Sequence, residues 1–259
     1  MAFAQADGAS IYYEAHGDGP AVAFAHGAGG NAASWWQQIP VFSQRYRMIV
    51  FDHRLYGRSV CAPDNFDRSK FGDDLMAILD AEGIERTAIV CQSMGGWTGL
   101  RAALERPDRV SCLILSNTSG GVFTPLVEKN IKIARARFAS EGFGNVALHV
   151  GFVERHPDLA FLYAQISSLN AQLTPEVRVQ IAKRDNPVSE AALADLSVPT
   201  LLITSENDVV FPPAAIREVA ALMPGSELVE LPDAGHSPYF ETPEVFNRTV
   251  GAFLERFNR

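Results

Sequence analysis

Residues 87–101, Thr-Ala-Ile-Val-Cys-Gln-Ser-Met-Gly-Gly-Trp-Thr-Gly-Leu-Arg, pass from a β-branched apolar run into a helix-compatible segment through a turn centred on Ser93. Ala88, Ile89 and Val90 suit a strand buried on both faces, and Trp97, Leu100 and Leu104 recur at helical spacing until Pro107 stops the pattern. The segment reads as strand, tight elbow and helix. A residue held in such an elbow presents its side chain outward, and the amide that opens the helix, here Met94, faces any negative charge growing beside it. Strand and helix main chains pass close together at an elbow, so small residues are needed two positions to either side. Gly95 meets that demand and Cys91 meets it in part.

The same alternation runs through most of the chain. Residues 10–15 form a strand pattern and Gly17-Asp18-Gly19-Pro20 a turn cluster, which together read as an opening hairpin. Strand patterns follow at 21–25, 47–51, 110–115, 198–204 and 227–231, those at 21–25 and 110–115 reading as buried. An amphipathic stripe of Phe71, Leu75, Ile78 and Leu79 marks a helix over 68–82, and Ser34-Trp35-Trp36 opens a helix ending near Pro40. Pro212-Pro213 opens a helix reaching Met223, and Thr242-Pro243 the closing one. Strands alternating with helices predict an α/β fold with a mostly parallel sheet and flanking helices, whose ligands bind beyond the carboxyl ends of the strands.

Over residues 121–196 the rhythm changes. Helical patterns occupy 124–140 and 158–183, with Phe123, Phe138, Phe143, Phe152, Phe161 and Tyr163 among them and no strand pattern. This length exceeds an ordinary crossover, so residues 121–196 are expected to form a helical cap inserted in a core of 1–120 and 197–259. A cap excludes water and shapes specificity.

Composition removes several classes of function. A formal net charge of −8, with no basic cluster, disfavours binding to nucleic acid or anionic lipid. No lysine or arginine precedes Arg45, and the apolar runs are shorter than the ~18 residues of a spanning helix, so a cytoplasmic location without membrane contact is expected. Cys61, Cys91 and Cys112 cannot all pair with one another and none falls in a C-x-x-C spacing, which reads as three reduced thiols. The histidines at 16, 26, 53, 149, 156 and 236 are scattered along the chain, and neither a metal nor a cofactor is expected.

A serine becomes a nucleophile near neutral pH when a base takes its proton, and a neutral imidazole suits that task. His236, in Asp-Ala-Gly-His after the last strand pattern, is the candidate base for Ser93. Asp208, after the preceding strand, is the candidate that orients the imidazole, with Glu206 as rival; Asn117 occupies another strand end but is no carboxylate. His26-Gly27-Ala28-Gly29-Gly30-Asn31 is a glycine-rich bend that frees backbone amides to face a pocket. As a phosphate loop it lacks the lysine and the serine or threonine.

The elbow, the stretch Asp52-His53-Arg54-Leu55-Tyr56-Gly57-Arg58-Ser59, Pro199-Thr200-Leu201-Leu202-Ile203-Thr204 and Asp-Ala-Gly-His together resemble the α/β-hydrolase fold family. The resemblance covers most of the chain outside the insertion. Two departures stand out: Cys91 replaces the first glycine of G-x-S-x-G, and Leu55 replaces the first glycine of D-x-R-G-x-G-x-S. The resemblance implies a catalytic triad of Ser93, Asp208 and His236, in the chain order this fold uses, and an oxyanion hole made by the amides of Ala28 and Met94. A serine at the elbow is unlike the aspartate of haloalkane dehalogenases and epoxide hydrolases. The expected activity is hydrolysis of a carboxylic ester of a fairly apolar small molecule, with lactone or carbon–carbon bond hydrolysis as alternatives. A ligand-sensing relative with slow turnover is the alternative of another class. Trp35, Trp97, Phe123 and Phe152 are the aromatic side chains expected at the substrate, and the role expected of residues 52–59 is structural.

Overall fold

The apolar runs assemble into a nine-stranded sheet in the computed structural model of the chain, which describes residues 1–141, 146–170, 173–182 and 186–258. The strands are β1 (Ala2–Ala6), β2 (Ala9–His16), β3 (Ala21–Ala25), β4 (Arg47–Phe51), β5 (Val60–Cys61), β6 (Thr87–Gln92), β7 (Val110–Ser116), β8 (Thr200–Ser205) and β9 (Glu227–Leu231). Their order is β1-β2-β4-β3-β6-β7-β8-β9, with β5 paired to β2. β2 runs antiparallel to β1, β4 and β5, while β3, β4, β6, β7, β8 and β9 are parallel to their neighbours in the sheet interior.

The opening hairpin differs from expectation. β2 turns back on β1 around Asp7 and Gly8, and does not pair with β3, which lies between β4 and β6. β1 carries no long β-branched run, and β5 is too short for any pattern, so neither strand was legible. Residues 34–40 also differ: a 3-10 turn covers Ala32–Trp35, and the helix α1 (Ile39–Phe42) starts beside Pro40 and runs past it. Proline suits the first turn of a helix, where its missing N–H has no acceptor to lose.

Side chains alternate across the sheet and divide the core in two. Ile49, Ile89, Leu113 and Leu202 face one layer, with α2 (Phe71–Ala81), α3 (Gly96–Glu105) and, further along, α9 (Pro213–Ala221). Their neighbours Val50, Val90, Ile114 and Ile203 face the other, closed by α10 (Pro243–Phe257) through Phe246, Val250, Phe253 and Leu254. Burying each such side chain stabilises the fold by about 1.5–3 kcal/mol.

Between β7 and β8 the described residues form α4 (Pro125–Glu141), α5 (Val150–Arg155), α6 (Pro157–Ser168), α7 (Pro175–Ala182) and α8 (Glu190–Ala194), with no strand among them. Val127, Leu173, Val177 and Leu193 join the first core layer; Leu148, Phe152, Tyr163 and Ile166 join the second. Phe143 lies outside the described residues, as does the side chain of Phe138. Among the described residues no helix is long and apolar enough to cross a membrane.

Candidate active site

Parallel strands bring their carboxyl ends to one rim, and the candidate residues lie there. Ser93 follows β6 directly and sits at φ +51°, a left-handed conformation that holds its side chain out of the turn. The elbow is tight. A Cβ on Gly95 would stand 2.2 Å from the Ala25 carbonyl oxygen of β3, so only glycine fits two residues after the serine. On the other side Cys91 is accommodated by the helix: a Cβ on Gly99 of α3 would stand 2.3 Å from the Cys91 sulfur. The small residue absent from the strand is present in the helix instead.

His236, in the loop after β9, places Nε2 2.9 Å from the Ser93 hydroxyl and Nδ1 3.0 Å from Asp208 Oδ2. The other oxygen of Asp208 accepts the main-chain N–H groups of Val210 and Phe211 at 2.7 and 2.9 Å. Asp208 and His236 are buried, and Ser93 is partly exposed. Glu206, the rival acid, is exposed and its carboxylate accepts the Asp233 N–H instead. Cys91 is buried, and desolvation pushes its thiol far above the ordinary cysteine range, so it is inert as a nucleophile.

Several further polar side chains hold this arrangement, of which the sequence pointed to Asn117 by its strand-end position and singled out neither Gln92 nor Glu241. Asn117 at the end of β7 donates to Asp208 Oδ2 at 2.9 Å and to Ser205 Oγ at 3.0 Å. Gln92 donates to the His236 carbonyl at 2.8 Å. Glu241 accepts the N–H groups of Gly235 and Ser237 on either side of His236, each at 3.1 Å, and that of His149, from the segment between β7 and β8, at 2.8 Å. Burial raises its carboxyl above the usual range against the pull of those donors. The Phe211 ring stacks on the imidazole at 5.9 Å between centroids. Gln92 left one signal: a polar side chain in a strand buried on both faces must find partners. Glu241 left none.

The glycine-rich bend follows β3. A Cβ on Gly27 would stand 3.1 Å from the Ser93 Cβ, which sets the 27–28 peptide beside the serine. Neither the Ala28 nor the Met94 N–H donates to another main-chain group among the described turns, loops and caps. The bend is fastened to the helical segment between β7 and β8 by Asn170, whose amide donates to the Gly30 carbonyl at 3.1 Å and accepts the Gly57 N–H at 2.9 Å. Asn31 in turn donates to the Ile166 carbonyl at 2.8 Å.

Residues 52–59 form a braced turn. Asp52 accepts the N–H groups of Ala32 at 2.6 Å and Arg58 at 2.8 Å. Arg54 is fully buried and paired with Asp74, and Leu55 keeps a left-handed φ of +65° where the resembled motif has glycine.

The four expected substrate aromatics are not alike. Trp35 is 0% exposed and packs between Phe24 and Tyr239, so it presents no surface; its neighbour Trp36 is 40% exposed against Phe240. A helical pair points in different directions, and Trp35 is the member that serves the core. Trp97 packs on Phe123 at 5.8 Å, with the Arg68 guanidinium 4.3 Å from its ring centroid. Phe152 is buried against Phe240 and His156.

Comparison with known proteins reaches the same family. The model of the alpha/beta hydrolase fold family matches residues 20–243. Over 266 aligned positions the chain is 30% identical to the protein of Caulobacter sp. (strain K31) named "Putative carbamate hydrolase RutD", covering 94% of this chain and 95% of that one. Among solved structures, Est816, described as an N-acyl homoserine lactone degrading enzyme, superposes with a TM-score of 0.83 at 27% identity, over 97% of this chain and 99% of its own. The esterase EaEST from Exiguobacterium antarcticum superposes with a TM-score of 0.82 at 25% identity, over 98% and 99%. The chain belongs to the alpha/beta hydrolase fold family.

Proposed function

We propose that the protein is a serine hydrolase that cleaves a carboxylic ester of a small, fairly apolar molecule through an acyl-enzyme. The observation that carries this reading is the unbroken run of contacts from the Ser93 hydroxyl to His236 Nε2 at 2.9 Å and from His236 Nδ1 to Asp208 at 3.0 Å. The Ser93 oxygen attacks the acyl carbon and its proton passes to His236 Nε2. The negative charge on the carbonyl oxygen is met by the N–H groups of Ala28 and Met94. Asp208 holds the imidazole with its proton on Nδ1 and stabilises the imidazolium. The Nε2 proton then leaves with the alcohol, and a water molecule, deprotonated by His236, returns the acid and free Ser93. Residues 121–196 act as a cap that limits water and shapes the acyl pocket, with Phe123 as its contribution nearest Trp97.

Lactone hydrolysis is the second reading. It uses the same residues and is favoured by the likeness to Est816, a lactone-degrading enzyme in its description. Three buried, unpaired cysteines suit a reducing compartment, and we place the protein in the cytoplasm. Hydrolysis of short p-nitrophenyl esters and of a lactone panel by wild type and Ser93→Ala tests the reading. A loss of about 10⁴-fold or more in kcat is expected for the variant. Equal rates would remove Ser93 from the reaction.

A further inference from the structure

Two buried histidines, one opening the glycine-rich bend and one following β4, have no hydrogen bond to Ser93 or Asp208 among the described contacts. The His26 and His53 rings meet edge to face at 4.3 Å, enclosed by Phe51, Phe71 and Tyr56. Their protonation follows from one group that cannot change its role. The His53 main-chain N–H can only donate, and it points at His26 Nε2 over 2.9 Å. That nitrogen is therefore unprotonated, and the proton of the neutral ring sits on Nδ1 and is donated to the Gly27 carbonyl at 2.7 Å. His53 Nδ1 also faces His26 Nε2, at 3.0 Å, so it too carries its proton. His53 Nε2 is then an acceptor, and the Thr98 hydroxyl donates to it at 2.8 Å. Burial keeps both rings neutral, with His26 brought down to about 4.

The Gly27 carbonyl and the Ala28 N–H belong to one trans peptide plane and point in opposite directions. The carbonyl also accepts the Gly30 N–H at 2.9 Å, so two donors pin its direction. Pinning the oxygen fixes the aim of the N–H at the other end, and donation to the carbonyl polarises the peptide and strengthens that N–H. At the far end of the run, Thr98 belongs to α3, the helix that follows Met94.

We propose that His26 is a positioning residue for the oxyanion: held in its Nδ1–H tautomer by His53, it aims the Ala28 N–H, while His53 and Thr98 tie that peptide to the helix behind the second donor. This rests on the Ser93 acyl-enzyme reading. The three residues touch no substrate and act through the two amides.

Three variants test it on esters and on a trifluoromethyl ketone, which forms a hemiketal oxyanion on serine. In His26→Gln the side-chain amide reaches His53 but gives up the donor near Gly27; His26→Asn keeps a donor near the Gly27 carbonyl; Thr98→Val removes only the far hydroxyl. His26→Gln is expected to lower kcat about tenfold to hundredfold, short of the ~10²–10³ that deleting an oxyanion donor costs, with KM within about twofold. Affinity for the ketone should fall by the same factor, and His26→Asn should retain most of both. Thr98→Val should lower both about threefold, and this isosteric change reads the run of bonds even where the His26 variants do not fold. Unchanged kcat and ketone affinity in Thr98→Val or in folded His26→Gln would overturn the proposal, as would a kcat loss without a matching loss of ketone affinity. Hydrolysis surviving in Ser93→Ala would instead overturn the underlying reading.

Discussion

The two loops that flank Ser93 are held by opposite kinds of group. The loop carrying His236 leans on carboxylates: Asp208 meets the imidazole, and Glu241 takes the N–H groups on either side of it. The bend at 26–30 leans on neutral donors: His26 on the Gly27 carbonyl, and Asn170 on the Gly30 carbonyl. Asp52 accepts its hydrogen bond from this loop at Ala32, beyond the bend, although its charge is felt by His26. In the proposed reaction a cation forms on His236 and an anion grows beside Ala28. A fixed carboxylate favours the first and would oppose the second. The difference teaches that each loop is supported by groups whose charge suits what forms beside it.

The largest expected effect comes from giving the His236 side a neutral partner. Asp208→Asn puts an amide where the imidazole needs an acceptor, and kcat should fall about 10⁴-fold with the fold retained, measured on the best ester. A loss under tenfold would mean that the carboxylate does not stabilise a cation there.

The bend should show the converse in acid. His26 has a pKa of about 4 in the fold against an ordinary 6.5, so between those values the unfolded chain binds the proton and the folded one does not. Stability contributed by the neutral ring is complete above about 6.5, is lost as the pH falls toward 4, and amounts to about 3 kcal/mol over that window. Urea titrations from pH 7 to 4 should show this slope in wild type and a shallower one in His26→Asn. Equal slopes would mean that His26 is not held neutral.

Glu241→Gln replaces an acceptor with a donor facing main-chain N–H groups, and should cost about 1–3 kcal/mol of stability in the same titration. Retained stability would show that the His236 loop does not depend on the charge. The smallest effect concerns the elbow that joins the two loops. Gly99→Ala should destabilise by about 1–2 kcal/mol through the clash with Cys91, and Cys91→Gly in the same chain should recover part of it. Simple additivity would show that the two positions do not compensate.

Much of this was legible from residue order. Strands β3 and β4 fall where the apolar runs placed them, because strands buried on both faces read as continuous apolar segments, and β9, a mostly exposed edge strand, falls at 227–231 as its strand pattern placed it. Ser93, Asp208 and His236 stood out as candidates because each follows a strand pattern. Gly99 as the counterpart of Cys91 was not, since that pairing exists only once the helix lies on the strand. The left-handed Leu55 was visible as a departure from glycine but not as a conformation kept despite it. His26 and His53 looked scattered because 27 positions separate them, and only the parallel pairing of β3 with β4 brings their rings together. Trp35 and Trp36 carried no sign of which one faces inward.

The most direct measurement is intact-mass and peptide analysis after treatment with a fluorophosphonate, which forms a covalent adduct on a serine activated by a neighbouring base. One adduct per chain on Ser93, lost in His236→Ala and accompanied by complete loss of ester hydrolysis, is the expected result. Hydrolysis that continues with Ser93 fully labelled, or an adduct on another residue that accounts for the inhibition, would contradict it.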